Sequence, residues 1–96
     1  MTQAQRYLEV GDRLLRGGKV RRAAAAYARC ADAWIAETFV ASARACVGRD
    51  PLRALDALAR AERMVGPSRE ARDIAAQAYL GLGQHEIASK FLAAAR

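Results

Sequence analysis

Apolar residues recur along this chain in groups at i, i+4 and i+7: Ala23, Tyr27 and Cys30; Ala54, Leu58 and Ala61; Ala88, Leu92 and Ala95. Residues so spaced share one face of an α-helix. Gly17-Gly18, Gly48 with Pro51, Gly66-Pro67 and Gly81 to Gly83 punctuate the chain and leave helix-length segments between them. The pattern predicts six helices and no sheet. The second and third helices are expected to part near Asp32 to Ile35, although no glycine or proline stands between Val20 and Val47.

Two helix starts are well marked. At Asp50-Pro51 the aspartate can accept a hydrogen bond from an orphan amide, while proline takes the first helical position, where no donor is needed. Ser68 does the same after Gly66-Pro67, and Glu70 and Asp73 follow in the first turns, where the positive end of the helix dipole favours carboxylates.

The three groups are copies of one unit. Ala23, Ala54 and Ala88 lie 31 and 34 residues apart. Twelve residues before them stand the small residues Gly11, Ser42 and Ala76, and nine before them stand Leu14, Ala45 and Tyr79. Each copy therefore keeps a helical hairpin of constant length, and the three-residue difference falls in the connection between the second and third helices. Small residues let two helices approach closely, and three hairpins in register build a continuous core.

Composition agrees with helix. The apolar 53% is led by alanine, which loses no side-chain entropy in a helix. No apolar run approaches the ~20 residues of a membrane span, and Met1 to Val10 lacks the order of a secretory signal, so a cytoplasmic protein is expected. Cys30 and Cys46 sit among alanines without metal or redox spacing and are expected as reduced, packed thiols. The net charge of +6 invites nucleic-acid binding. That reading is disfavoured, because the arginines are dispersed among acidic residues without aromatics for base stacking.

The segments Gly18-Lys-Val-Arg-Arg-Ala23-Ala-Ala-Ala-Tyr27 and Ala78-Tyr-Leu-Gly-Leu-Gly83-Gln-His-Glu-Ile-Ala88 resemble the tetratricopeptide repeat. Gly11 matches its small residue in the first helix, Gly18 and Gly83 its turn glycine, and Ala23, Ala54 and Ala88 its most characteristic alanine. Arg49 replaces the turn glycine of the middle copy, and Ile35 stands where the family often has proline. The resemblance implies a single all-α domain over residues 1–96, with repeats at about 4–34, 35–68 and 69–96. Its three stacked antiparallel helix pairs would wind into a short right-handed superhelix, the first helix of each pair lining a concave groove.

Carried over by the repeat pattern, the groove positions are Gln5, Leu8, Asp12 and Leu15, then Phe39, Ala43 and Cys46, then Asp73, Gln77 and Leu80. This mixed apolar and acidic surface suits a peptide or helix with apolar anchors, with Phe39 as the preferred contact. It lacks the lysines, arginines and asparagines with which such repeats grip the acidic tails of heat-shock chaperones. Trp34 is expected to plug the connection between the first two repeats, and Tyr7 to cap a core.

The chain stops at Arg96 without a covering helix, so Phe91 and Leu92 are expected at an exposed end that could hold a second copy or a partner. His85 has no serine, cysteine or carboxylate arrangement beside it, and no phosphate loop or paired-acid motif appears. The expectation is a non-enzymatic, bacterial-type adaptor or chaperone-like module that binds another protein, without metal or cofactor. The alternative is a self-association or assembly domain, as a homodimer or as part of a larger signalling protein.

Overall fold

A computed structural model describes residues 1–95, with side chains through residue 93. Its helices are α1 (Gln3–Arg16), α2 (Val20–Cys46), α3 (Pro51–Val65), α4 (Arg69–Gly81) and α5 (His85–Ala95), and the described residues contain no strand. The chain is all-helical, as the pattern predicts.

The starts follow local chemistry. Asp50 accepts from the Arg53 amide at 3.1 Å with Pro51 in the first helical position, and Ser68 accepts from the Ala71 amide at 3.1 Å. Helix α1 opens on a capping box: the Thr2 hydroxyl accepts from the Gln5 amide at 3.2 Å, and the Gln5 side chain accepts from the Thr2 amide at 2.8 Å. Gly18, Gly66 and Gly83 hold positive φ in the turns. That conformation is free to glycine and crowded for every other residue.

The expected parting at Asp32 to Ile35 does not occur. Helix α2 runs through it as one element of 27 residues. The reason lies in the short first interval: the three residues by which it falls below the second are the length of a turn, and with them goes any glycine or proline able to stop the ladder. Ala31, Ala33, Ala36 and Glu37 instead carry it forward. Within residues 1–35, Ala23, Ala26, Cys30 and Ala33 of α2 are buried; within residues 36–96, Ala36 and Ala43 of α2 are buried, with half-buried Phe39 and Val40 beside them.

The chain forms two compact units, residues 1–35 and 36–96, divided within α2. In the first, Ala4 of α1 meets Cys30 and Ala33 of α2, with Tyr7 packed beside them. In the second, Ala43 of α2, Ala54, Ala57 and Leu58 of α3, and Ile74 and Ala75 of α4 form the core, flanked by Phe39, Leu55, Tyr79 and Phe91. Helix α3 packs on α4, and α4 on α5. Among the described residues, thirteen of the sixteen buried apolar ones are alanine, so the helices pack at close range instead of filling the core with large side chains.

Candidate partner-binding surfaces

Within the first unit, Gln5, Leu8, Asp12 and Leu15 share one face of α1 and are all exposed. Two of them are occupied within the chain. The Gln5 carboxamide belongs to the capping box, and Asp12 accepts a hydrogen bond from the Tyr27 hydroxyl at 2.6 Å. This bond, with the adjacent carboxylate charge, holds the Tyr27 phenol above its ordinary pKa. Leu8 and Leu15 remain as an apolar pair two turns apart, 43% and 50% exposed.

Within the second unit, the expected positions divide. Ala43 is fully buried and offers no atom to a partner. Phe39 and Cys46 are half-buried and pack on the same core. The outer side of the Phe39 ring carries the Arg60 guanidinium, 5.9 Å from the ring centre, a cation–π contact. Arg60 also pairs with Asp56 one turn earlier at 3.2 Å. By contrast Asp73, Gln77 and Leu80 are exposed on one face of α4.

Phe91 stacks obliquely on Tyr79, with ring centres 5.2 Å apart, and is half-buried; Leu92 is 41% exposed. Trp34 departs from expectation. With no connection to plug, it stands 65% exposed on α2, next to exposed Ile35. The absence of any stop residue between Val20 and Val47, together with the short first interval, is the signal that could have found this.

Polar chemistry is dispersed. No group of three or more histidine, cysteine or acidic residues among the described ones is placed to hold a metal ion. His85 opens α5 and is exposed, its backbone carbonyl accepting from the Ser89 hydroxyl at 3.0 Å. Cys30 and Cys46 are free thiols. Arg21, Arg22, Arg29, Arg53, Arg60 and Arg63 are exposed. A shallow, open depression lies along Lys19, Val20, Arg21 and Arg22. No described helix is long and apolar enough to cross a membrane.

No known protein-family model, curated protein or solved structure matches this chain. The surfaces must therefore be read from their own chemistry. Leu8 and Leu15 form a strip that fits apolar side chains spaced along a helix or extended peptide, and Asp73, Gln77 and Leu80 form a second, more polar strip.

Proposed function

We propose that the protein is a non-catalytic interaction module of the tetratricopeptide type, an adaptor or chaperone-like domain that binds a peptide or helix of another protein. The observation that carries this reading is the exposed Leu8 and Leu15 pair on α1, set beside a core that already holds Ala4 and Gly11. Two leucines left in water on one helical face lose free energy that a partner's apolar anchors would recover, at roughly 25 cal/mol for each Å² covered. The Asp12 carboxylate between them in sequence already accepts from the Tyr27 hydroxyl, so the strip offers a partner chiefly apolar contact. The repeat register, with a hairpin of constant length in each copy, supports the family reading.

The test is selection of binders from a displayed library of amphipathic peptides, followed by mapping of their contact by amide chemical shifts. Perturbations centred on Leu8 and Leu15, with affinity reduced tenfold or more by Leu8→Asp at unchanged helicity, support the reading. Binders that map elsewhere and tolerate Leu8→Asp and Leu15→Asp overturn it.

A further inference from the structure

The α1–α2 turn carries charges that its own geometry does not require. Between Asp12 and Asp32 the chain holds six cations, Arg13, Arg16, Lys19, Arg21, Arg22 and Arg29, and no acid. Residues 15–22 are exposed without interruption, with Leu15 at 50% and Val20 at 64%. The reversal is tight: the Gly18 amide donates to the Leu15 carbonyl at 3.0 Å and the Lys19 amide to the Leu14 carbonyl at 2.9 Å. All the cations but Arg29 therefore gather within about one helical turn of the Gly17-Gly18 tip.

The third copy of the repeat serves as an internal control. Moved along by the two repeat intervals, residues 15–22 become residues 80–87. There the Gly83 amide donates to the Leu80 carbonyl at 3.0 Å and the Gln84 amide to the Tyr79 carbonyl at 2.8 Å, and φ is 76° at Gly83 against 77° at Gly18. The two turns share one backbone geometry. Yet Gln84 stands in place of Lys19 and Glu86 in place of Arg21, and residues 80–87 hold no lysine or arginine. Arg13 and Arg16 suit the negative end of the α1 dipole, but Lys19, Arg21 and Arg22 crowd the positive end of the α2 dipole, where acids are stabilising. No ion pair with a described residue engages any of the five.

We propose that this turn is a contact site for an anionic phospholipid surface. Cations around an exposed tip gain from the negative potential of the headgroups, while Leu15 and Val20 reach the boundary with the acyl chains. The depression along Lys19, Val20, Arg21 and Arg22 is shallow and open, so it suits a broad charged surface and does not enclose a peptide carboxylate. Nucleic acid fits less well. Between Asp12 and Asp32 no asparagine, glutamine, serine or threonine is present to bond phosphates or bases, and the one aromatic, Tyr27, is bonded to Asp12. Phosphates also offer Leu15 and Val20 no apolar cover.

The experiment is co-sedimentation of the full chain with phosphatidylcholine vesicles that contain either about one third phosphatidylserine or none. Binding is expected to the anionic vesicles alone, falling steeply with added salt. Lys19→Gln with Arg21→Glu writes the third copy's residues into the first and removes three charges. It should weaken binding about a hundredfold, at about fivefold for each charge. Helicity should be unchanged and the melting temperature no lower, because an acid replaces a cation at the start of α2. Arg53→Glu with Arg63→Gln makes the same change of charge on α3 and should weaken binding less than about tenfold, since the tip would still meet the headgroups. Val20→Ser should weaken it with no change of charge. Leu8→Ala should leave it intact, so this inference and the α1 peptide reading fail separately. Equal binding to both vesicles, or equal losses for the two double variants, overturns the proposal. So does the absence of binding to either, and retention by duplex DNA or polyglutamate that Lys19→Gln with Arg21→Glu abolishes then assigns the turn to that polyanion instead.

Discussion

The Tyr27 ring lies so close over Gly11 that a Cβ at residue 11 would stand 2.6 Å from Cε1 and 2.7 Å from Cδ1. Glycine in mid-helix costs about 1 kcal/mol relative to alanine, and here that loss permits α1 to approach α2. The Tyr27 hydroxyl then reaches Asp12, the next residue along, so the ring cannot swing aside without breaking its hydrogen bond. Gly11→Ala should therefore destabilise the protein by about 1 kcal/mol, overpacking outweighing the gain in helix propensity. In a Tyr27→Leu background the same substitution should turn stabilising. Urea unfolding of the four chains of this cycle checks the change of sign.

The Tyr27 phenol is held above its ordinary value of about 10 by its bond to Asp12 and by that carboxylate's charge. The folded state thus keeps a proton that the unfolded state releases first. The stabilising contribution is complete below pH 10 and is lost as pH rises from there through the folded value. Phenolate absorbance should show a late step that disappears in Tyr27→Phe and moves towards the ordinary value in Asp12→Asn.

Phe39 and Leu8 should behave differently although the repeat pattern places both in one groove. Phe39 packs on the core of the second unit beneath Arg60, so Phe39→Ala should cost about 2 kcal/mol, part of the loss for a fully buried phenylalanine. Leu8 is exposed, and Leu8→Asp should cost no more than about 1 kcal/mol, chiefly through helix propensity. Thermal unfolding of both variants separates the two roles.

The capping residues offer a simpler check. Asp50→Ala and Ser68→Ala each remove the acceptor of one helix-start amide and should each lower stability by about 1 kcal/mol. Asp50→Asn and Ser68→Thr, which keep an acceptor, should recover most of it.

Much of the fold can be read in the residues themselves. Asp50-Pro51, Ser68 after Gly66-Pro67, and the turn glycines at 18 and 83 act locally, so sequence alone locates all four turns that separate the described helices. The continuous α2 was less legible, because the hairpin register points to six helices while the residues at 31–37 are merely good helix formers; the absence of a stop decides between them. The candidate surface was half legible. The repeat resemblance picks out Leu8, Leu15, Asp73, Gln77 and Leu80, all of which are exposed, but it cannot tell that Ala43 is buried, that Gln5 is engaged in a cap or that Asp12 is bonded to Tyr27. Those depend on which neighbour arrives, and the neighbour is set by tertiary packing.

A core made so largely of alanine has a calorimetric consequence. Each buried methyl withdraws little apolar surface from water, and among the described residues no large side chain is fully buried. The heat-capacity increment of unfolding scales with apolar surface newly hydrated, commonly about 12–15 cal/mol/K per residue, and here it should fall below that range. The stability curve is then broad and shallow: modest at its maximum, yet slow to decline on cooling or warming.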